Sequence, residues 1–317
     1  MKSAIAIVIV DYGSLKESIK YANHIDSKVK ENTKIIIVDV FEHYRNIENL
    51  CDIYDYVDFC GNKIKVEKLV DCTTDIFIVR LNVNVGFARG NNIGFRFSVD
   101  KLKAQYVIFS NNDIEIPEQI YFSEIEKYFL LNEKCCVYGP KIIDNSGYPQ
   151  GPFQRGNFIN YLFFMEINRT FKNFYRILKR KINGKINYPE SGDYFTVQGC
   201  FMITKSSRFE RIGLFDENTF LYREEEILGE RMRCKHLLCH YDANIVVIHK
   251  EEGTISKVLL PIKSKKMLFE SACYYFHQYR NVNKIVIDIA RLNFKYLYTP
   301  FYNIAGRFWK IIKRLLV

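Results

Sequence analysis

Residues Tyr106–Pro117 read YVIFSNNDIEIP. The apolar run Tyr106–Phe109 has the character of a buried strand. It stops at Ser110-Asn111-Asn112-Asp113, a polar cluster with a single carboxylate. In an open parallel α/β sheet, ligands gather at the carboxyl ends of the strands. A carboxylate there, beside small amides, can hold a divalent cation against a phosphate. Taken alone, the same residues also read as a plain Asn/Asp turn after a strand.

Outward from this stretch, short apolar runs alternate with helical ones. Ile5–Val10, Lys34–Val38 and Asp75–Arg80 read as strands, with Asp39 closing the second. Leu15–Val29 carries apolar residues at 15, 19, 22, 25 and 29, one face of a helix, and Phe87–Ser98 reads as another helix. Strands alternating with helices predict βαβ units and a mostly parallel central sheet flanked by helices, an α/β fold. Cys135–Tyr138, Thr196–Thr204 and Asn244–Ile248 are later strands. After Ile255 the pattern turns helical and basic, so a helical C-terminal segment is expected over 256–317, behind a main domain of 1–255.

The formal charge of +10 is unevenly placed. Arg155–Lys185 holds eight Lys/Arg against Glu166, and Lys284–Val317 holds seven against Asp288, so the rest of the chain nets −3. Two basic segments on an otherwise mildly acidic body suit an anionic surface or a charged acceptor. The nine cysteines form no CxxC pair, which fits a reduced, cytoplasmic setting. Cys234, His236, Cys239 and His240 match no common zinc spacing. The apolar start Ala4–Val10 ends too soon for a signal peptide. No apolar run reaches the roughly 18 residues of a membrane span.

The first strand ends in Asp11-Tyr12-Gly13-Ser14, which is neither a GxGxxG site nor a GxxxxGK[ST] loop. Tyr12 and Gly13 offer an aromatic ring and exposed backbone that could hold a nucleobase. Asp39 can bond a base or a ribose hydroxyl, or be a turn acid. In NVNVGFARGNNIGF (82–95), Gly86, Gly90 and Gly94 share one helical face. Close packing on the sheet explains Gly94. The polar Arg89, Asn91 and Asn92 ask for a further reason, and a helix N-terminus with a nearby arginine can stabilise a diphosphate.

Asp11-Tyr12-Gly13, Asp39, NVGFARGNNIGF, SNNDIEIP and the later GLFDENTFLYREEEIL together resemble the bacterial family-2 glycosyltransferases of the GT-A fold, nearest their rhamnosyltransferase-like branch. The resemblance covers about Ile5 to Ser256, with the motifs in the family's order. It implies a nucleotide-sugar-binding half at 1–117 and an acceptor half at 118–255 carrying the basic aromatic insert 155–185. It implies sugar transfer from a nucleotide-diphosphate donor, usually with Mg²⁺ or Mn²⁺. By this resemblance Tyr12, Gly13, Asp39, Gly86, Arg89, Asn91, Asn112 and Asp113 contact the donor, and Asp113 meets the metal. Asn111 stands where the family often has a first acid, which leaves less protein charge on the ion. His249, after the last strand, would ligate the metal or touch the diphosphate. Glu225 would be the catalytic base, while Glu224 holds either the acceptor or a nearby basic group. Three adjacent carboxylates, Glu224–Glu226, repel, and burial adds to the effect; both raise a pKa. Gln198-Gly199 lies either in a buried strand with a bulge or where backbone approaches substrate.

Phe158–Ile182 interleaves aromatic and basic residues, as a nucleic-acid stacking surface would. A membrane-facing flap fits better between transferase motifs, and no nucleic acid is expected. Over Phe301–Val317, at about 100° per residue, Trp309 and the aliphatic residues take one side and Lys/Arg the other. This is the pattern of an interfacial helix on anionic lipid, or of a helix docked on the protein. The expectation is an inverting glycosyltransferase, peripheral on the inner face of the cell membrane, acting on a glycan or lipid-linked acceptor of surface polysaccharide synthesis. Rivals are a sugar nucleotidylyltransferase, whose Gly-rich first loop is missing at Val10–Ser14, and a non-catalytic nucleotide-sugar or membrane-binding module.

Overall fold

The structure is a computed structural model that describes residues 4–29, 31, 33–42, 50–57, 63–70, 75–163, 186–250 and 261–298. The tail 301–317 and most of the basic aromatic segment lie outside the described residues. The chain divides into two units, Met1–Arg155 with Ile186–Leu259, and Gly156–Lys185 with Leu260–Val317.

The first unit is built on one large sheet. Its strands are β1 (Ile5–Asp11), β2 (Thr33–Asp39), β3 (Leu50–Val57), β4 (Lys63–Leu69), β5 (Asp75–Arg80), β6 (Tyr106–Ser110), β7 (Ile114–Glu115), β8 (Cys135–Asp144), β9 (Gly192–Tyr194), β10 (Phe201–Lys205) and β11 (Leu238–His249). They run in the order β3-β4-β5-β2-β1-β6-β10-β8-β11-β7, with β9 paired to β11. The centre β5-β2-β1-β6 is parallel, as the βαβ pattern predicts. Beyond it, β3-β4-β5 and β6-β10-β8 pair antiparallel, so the whole sheet is mixed rather than mostly parallel. The hairpin β3–β4 escaped the sequence reading because β4 alternates Ile64 and Val66 with lysines, the pattern of a half-covered strand.

Helices α1 (Leu15–Lys28) and α2 (Gly86–Asp100) cover opposite faces of the parallel centre. Ile5, Ile7 and Ile9 of β1 pack in one core with Leu15, Ala22 and Ile25 of α1, while Ala6 and Val8 join Ala88, Ile93 and Phe95 of α2. Both faces being covered, the central strands read as continuous apolar runs. Each fully buried Ile or Val adds about 1.5–3 kcal/mol of driving force. A Cβ on Gly94 would lie 2.4 Å from Val8 and 2.9 Å from Val38, so close packing on the sheet does explain that glycine.

The unit also carries α3 (Phe122–Leu131), α5 (Ser206–Arg211) and α6 (Glu224–Cys234). The second unit carries α4 (Phe158–Leu162), α7 (Pro261–Arg280) and α8 (Lys284–Asn293), which runs into a π-turn at Phe294–Tyr298. The strand expected over Thr196–Thr204 is shorter. It begins at Phe201, and Gly199-Cys200 form a turn before it, because Gly199 must leave the ladder to meet a side chain described below. The strand expected at Asn244–Ile248 is longer, starting at Leu238.

Candidate active site

At the end of β1, Asp11 is fully buried. Its carboxylate accepts from the Ser14 hydroxyl at 2.6 Å, the Ser14 amide at 3.1 Å, the Ser18 hydroxyl at 2.6 Å and the Asn112 amide at 3.3 Å. Burial raises its pKa and these hydrogen bonds oppose the rise. Asn112 also donates to the Ser14 and Ser18 hydroxyls, so its amide knits β6 to the start of α1. At the end of β2, Asp39 is buried too. Arg80 donates to its Oδ2 at 2.7 Å, the Phe41 amide to its Oδ1 at 3.1 Å, and the same guanidinium donates to Glu67 at 2.8 Å. Burial works against ionisation of Glu67, yet Arg80 and Lys65 hold its carboxyl below the usual range. Tyr12 packs edge-on against Phe41 with 5.4 Å between ring centres, and Gly13 takes φ +78° over the same ring.

Asp113 sits differently. Its Oδ1 is buried without a hydrogen bond, 3.3 Å from His249 Nε2. The other ring nitrogen, Nδ1, lies 2.7 Å from Gln150 Oε1. A carbonyl oxygen can only accept, so Nδ1 is the donor and Nε2 is directed at the carboxylate. At 3.3 Å apart, His249 Nε2 and Asp113 Oδ1 are close enough that both could ligate one cation. One carboxylate oxygen and one imidazole nitrogen fit a divalent ion whose other positions go to phosphate and water. Among the described residues no group of three or more His, Cys, Asp or Glu is arranged to hold a metal.

The start of α2 is tied to the loop before α6. The Phe87 amide donates to Phe220 O at 3.0 Å, and a Cβ on Gly86 would stand 2.4 Å from that same carbonyl. Gly86 takes φ +80°, and its amide is satisfied by Asn84. The structure thus packs Gly86 closely against the loop, with its amide bonded to Asn84. Asn91 donates to Phe87 O within the helix. Asn92 spans to the loop, exchanging hydrogen bonds with the Phe215 backbone and donating to Glu217 at 2.8 Å. Arg89 Nε lies 3.8 Å from Glu217, on a partly exposed side chain.

Tyr222 and Arg223 then take φ +75° and +74°, rare for residues with side chains, and the chain turns into α6. Arg223 pairs with Glu226. Glu224 is buried with its Oε1 lacking a hydrogen-bond partner; burial, then the charge of Glu225, pushes its carboxyl well above the ordinary range. Glu225 is partly buried and accepts from the Gly199 amide at 2.9 Å. Burial, then the charge of Glu226, pushes it up to about 7. Burial, not repulsion, is the larger cause. Gly199 leaves room for this contact: a Cβ there would lie 2.5 Å from Glu225 Oε1, so the carboxylate would have to shift.

The next residue completes the link. Cys200 O accepts from the Asn111 amide at 2.8 Å. One dipeptide, Gly199-Cys200, therefore joins Glu225 to the turn that presents Asp113. A carboxylate poised near neutrality and a metal-type donor pair share one corner of the sheet.

No family model matches the chain. Among curated proteins, it is 23% identical over 262 residues to the low-salt glycan biosynthesis hexosyltransferase Agl10 of Haloferax volcanii, covering 79% of this chain and 74% of that protein. It is 26% identical over 260 residues to the dTDP-rhamnosyl transferase RfbF of Shigella flexneri, covering 78% of this chain and 70% of that one. The chain is thus similar in sequence to curated hexosyl- and rhamnosyltransferases. A solved structure of GalNAc-T7 with UDP, GalNAc and Mn²⁺ overlays with a TM-score of 0.49 at 12% identity, and the chain spans 44% of that protein.

Of the residues singled out in this glycosyltransferase relative, Asp113 and His249 meet directly, and Glu225 reaches the Asp113 turn through Gly199-Cys200. Asp39, Asn91 and Asn112 make their described contacts within the protein. Sequence reasoning missed Gln150, 99 positions from His249. It also gave Asn92 no site of its own, although the polar pair in ARGNN marked it, and it missed Arg80, which reads as the end of an apolar strand.

Proposed function

We propose that this protein transfers a sugar from a nucleotide-diphosphate donor to a hydroxyl of a glycan acceptor, with inversion at the anomeric carbon. The observation that carries the reading is Glu225, raised toward neutrality and linked by one dipeptide to the Asp113–His249 pair. Its carboxylate removes the acceptor hydroxyl proton as the oxygen bonds to the anomeric carbon. The carbon–oxygen bond to the diphosphate breaks on the opposite face, and the electron pair leaves with the nucleotide diphosphate. Glu224, the buried acid beside Glu225, holds the acceptor or a nearby basic group. Asp113 and His249 would hold Mn²⁺ or Mg²⁺, which when bound neutralises charge on the leaving diphosphate. A nitrogen ligand favours Mn²⁺ over Mg²⁺.

The same reading takes 1–255 as the transferase domain and 256–317 as an appendage. The acceptor is a glycan, lipid-linked in surface polysaccharide synthesis, and Phe301–Val317 rests on the inner face of the cell membrane. No helix among the described residues is long and apolar enough to cross a membrane.

The test pairs turnover with metal binding. Nucleotide sugars are supplied with Mn²⁺ or Mg²⁺, and donor hydrolysis or transfer is followed, while Mn²⁺ binding is titrated by electron paramagnetic resonance. Asp113→Asn should weaken Mn²⁺ binding and lower transfer by about 100-fold, the scale of removing a metal's charge stabilisation. Unchanged Mn²⁺ binding and turnover in that variant would remove Asp113 from the metal site. Donor binding without turnover under every condition would favour a non-catalytic module.

A further inference from the structure

Helix α8 has two apolar faces, and only one is covered. Ile287 and Ala290 are buried, and Phe294 just beyond stacks on Phe269 of α7 with 4.2 Å between ring centres. Arg291 adds an ion pair to Glu270 at 3.1 Å. These contacts fix which side of α8 faces inward. On the other side, Ile285, Ile289, Leu292 and Tyr296 are 68%, 52%, 56% and 61% exposed. At about 100° per residue these four fall within an arc of about 60°, and Ile287, Ala290 and Phe294 lie opposite. Lys284, Asp288, Arg291 and Lys295 line one flank between the two faces.

We propose that this outer stripe of α8 is a lipid-docking face that seats on an anionic bilayer, separately from anything the tail 301–317 does. Charge is the first argument. Lys284 and Lys295 flank the stripe, with Arg291 between them held by Glu270 and Asp288, and Lys284–Val317 as a whole nets +6. Lys295 Nζ stands 4.9 Å from the Tyr296 ring centre, placing an aromatic body and a cation at the same edge of the stripe. That combination suits the headgroup level, where a ring is half-buried and a cation meets lipid phosphate. Size is the second argument. Four side chains on three turns offer on the order of a few hundred Å². A stable protein partner needs roughly 800 Å² on each side. A bilayer has no such threshold, because each side chain inserts on its own.

The experiment uses the full chain and vesicles of phosphatidylcholine with or without phosphatidylglycerol. The triple variant Ile285→Ser, Ile289→Ser, Leu292→Ser removes the apolar stripe and leaves net charge unchanged. Leu130→Ser with Leu131→Ser, exposed on α3, is the matched control. All three substituted positions on α8 and both on α3 are exposed, so melting curves should superimpose on the parent and check the fold. Wild type and the α3 variant should sediment with anionic vesicles, and the α8 variant should partition at least about tenfold less, the worth of burying one such side chain. Partitioning unchanged in the α8 variant would overturn the proposal, with the tail 301–317 then carrying any binding seen. Equal binding to neutral vesicles, or no binding by wild type, would also overturn it. So would sedimentation velocity showing a dimer that the α8 variant dissolves, since the face would then belong to a second copy.

Discussion

Two groups of carboxylates, one at the ends of β1 and β2 and one in the turn after β6 and the first turn of α6, differ in how completely they are paired. Asp11 and Asp39 have both oxygens occupied by protein donors: serine hydroxyls and amides for one, Arg80 and the Phe41 amide for the other. Asp113 and Glu224 each keep a buried oxygen with no hydrogen bond, and Glu225 has one oxygen held by Gly199 and a proton affinity near neutrality. Burial of a carboxylate is costly in either group. In the first, the cost is offset inside the fold, so these acids hold the scaffold. In the second it stays open, to be met by a proton, a cation or a substrate. Incomplete pairing, more than burial, separates the chemical acids from the architectural ones.

The largest test of this contrast is Glu225→Gln. Loss of a general base should lower turnover by about 1,000-fold, with donor KM nearly unchanged. In the parent, rate should fall about tenfold per unit below pH 7 and level off above it, because the base must be ionised. Stability should move oppositely. A carboxyl raised from 4.5 to about 7 favours the folded state when protonated, and that advantage is lost between those two values as pH rises. The glutamine variant should therefore melt higher than the parent at pH 8 and show no such gain at pH 4. A parent-like pH profile in the variant would return Glu225 to the scaffold group.

Asp39→Ala probes the other side. Breaking its buried pair with Arg80 should cost about 3 kcal/mol of stability, read as a fall in urea midpoint. A parent-like midpoint with a raised donor KM would instead move Asp39 into the donor site, as the resemblance implies. Gly199→Ala is the smaller, sharper probe. The added Cβ must push Glu225 aside, and about a tenfold loss in kcat is expected with donor KM unmoved, as for a slightly misplaced catalytic group. Equal loss in both would mean the turn serves donor binding.

Much of this architecture was readable from the chain. The four parallel strands announce themselves as continuous apolar runs because helices cover both faces. Asp113 stood out because it ends such a run, and Glu225 because an aromatic turn precedes three acids. Other parts depend on distance along the chain. Nothing local to Gln150 connects it with His249, nor Phe220 with Gly86, whose positive φ and tight fit against the Phe220 carbonyl are set by the fold. The turn at Gly199 read as strand because Phe195, Val197 and Phe201 alternate as strand residues do. Its departure from the ladder is set by a glutamate 26 positions later.

The Gly199-Cys200 bridge has a consequence for how such a protein can vary. The link between Glu225 and the Asp113 turn is made by main-chain atoms, an N–H on one residue and a C=O on the next. Every amino acid but proline carries both, so this ruler tolerates wide drift in the side chains around it. It breaks at one mark: a Cβ at position 199 would stand 2.5 Å from Glu225 Oε1, so any side chain there displaces the carboxylate whose place it sets.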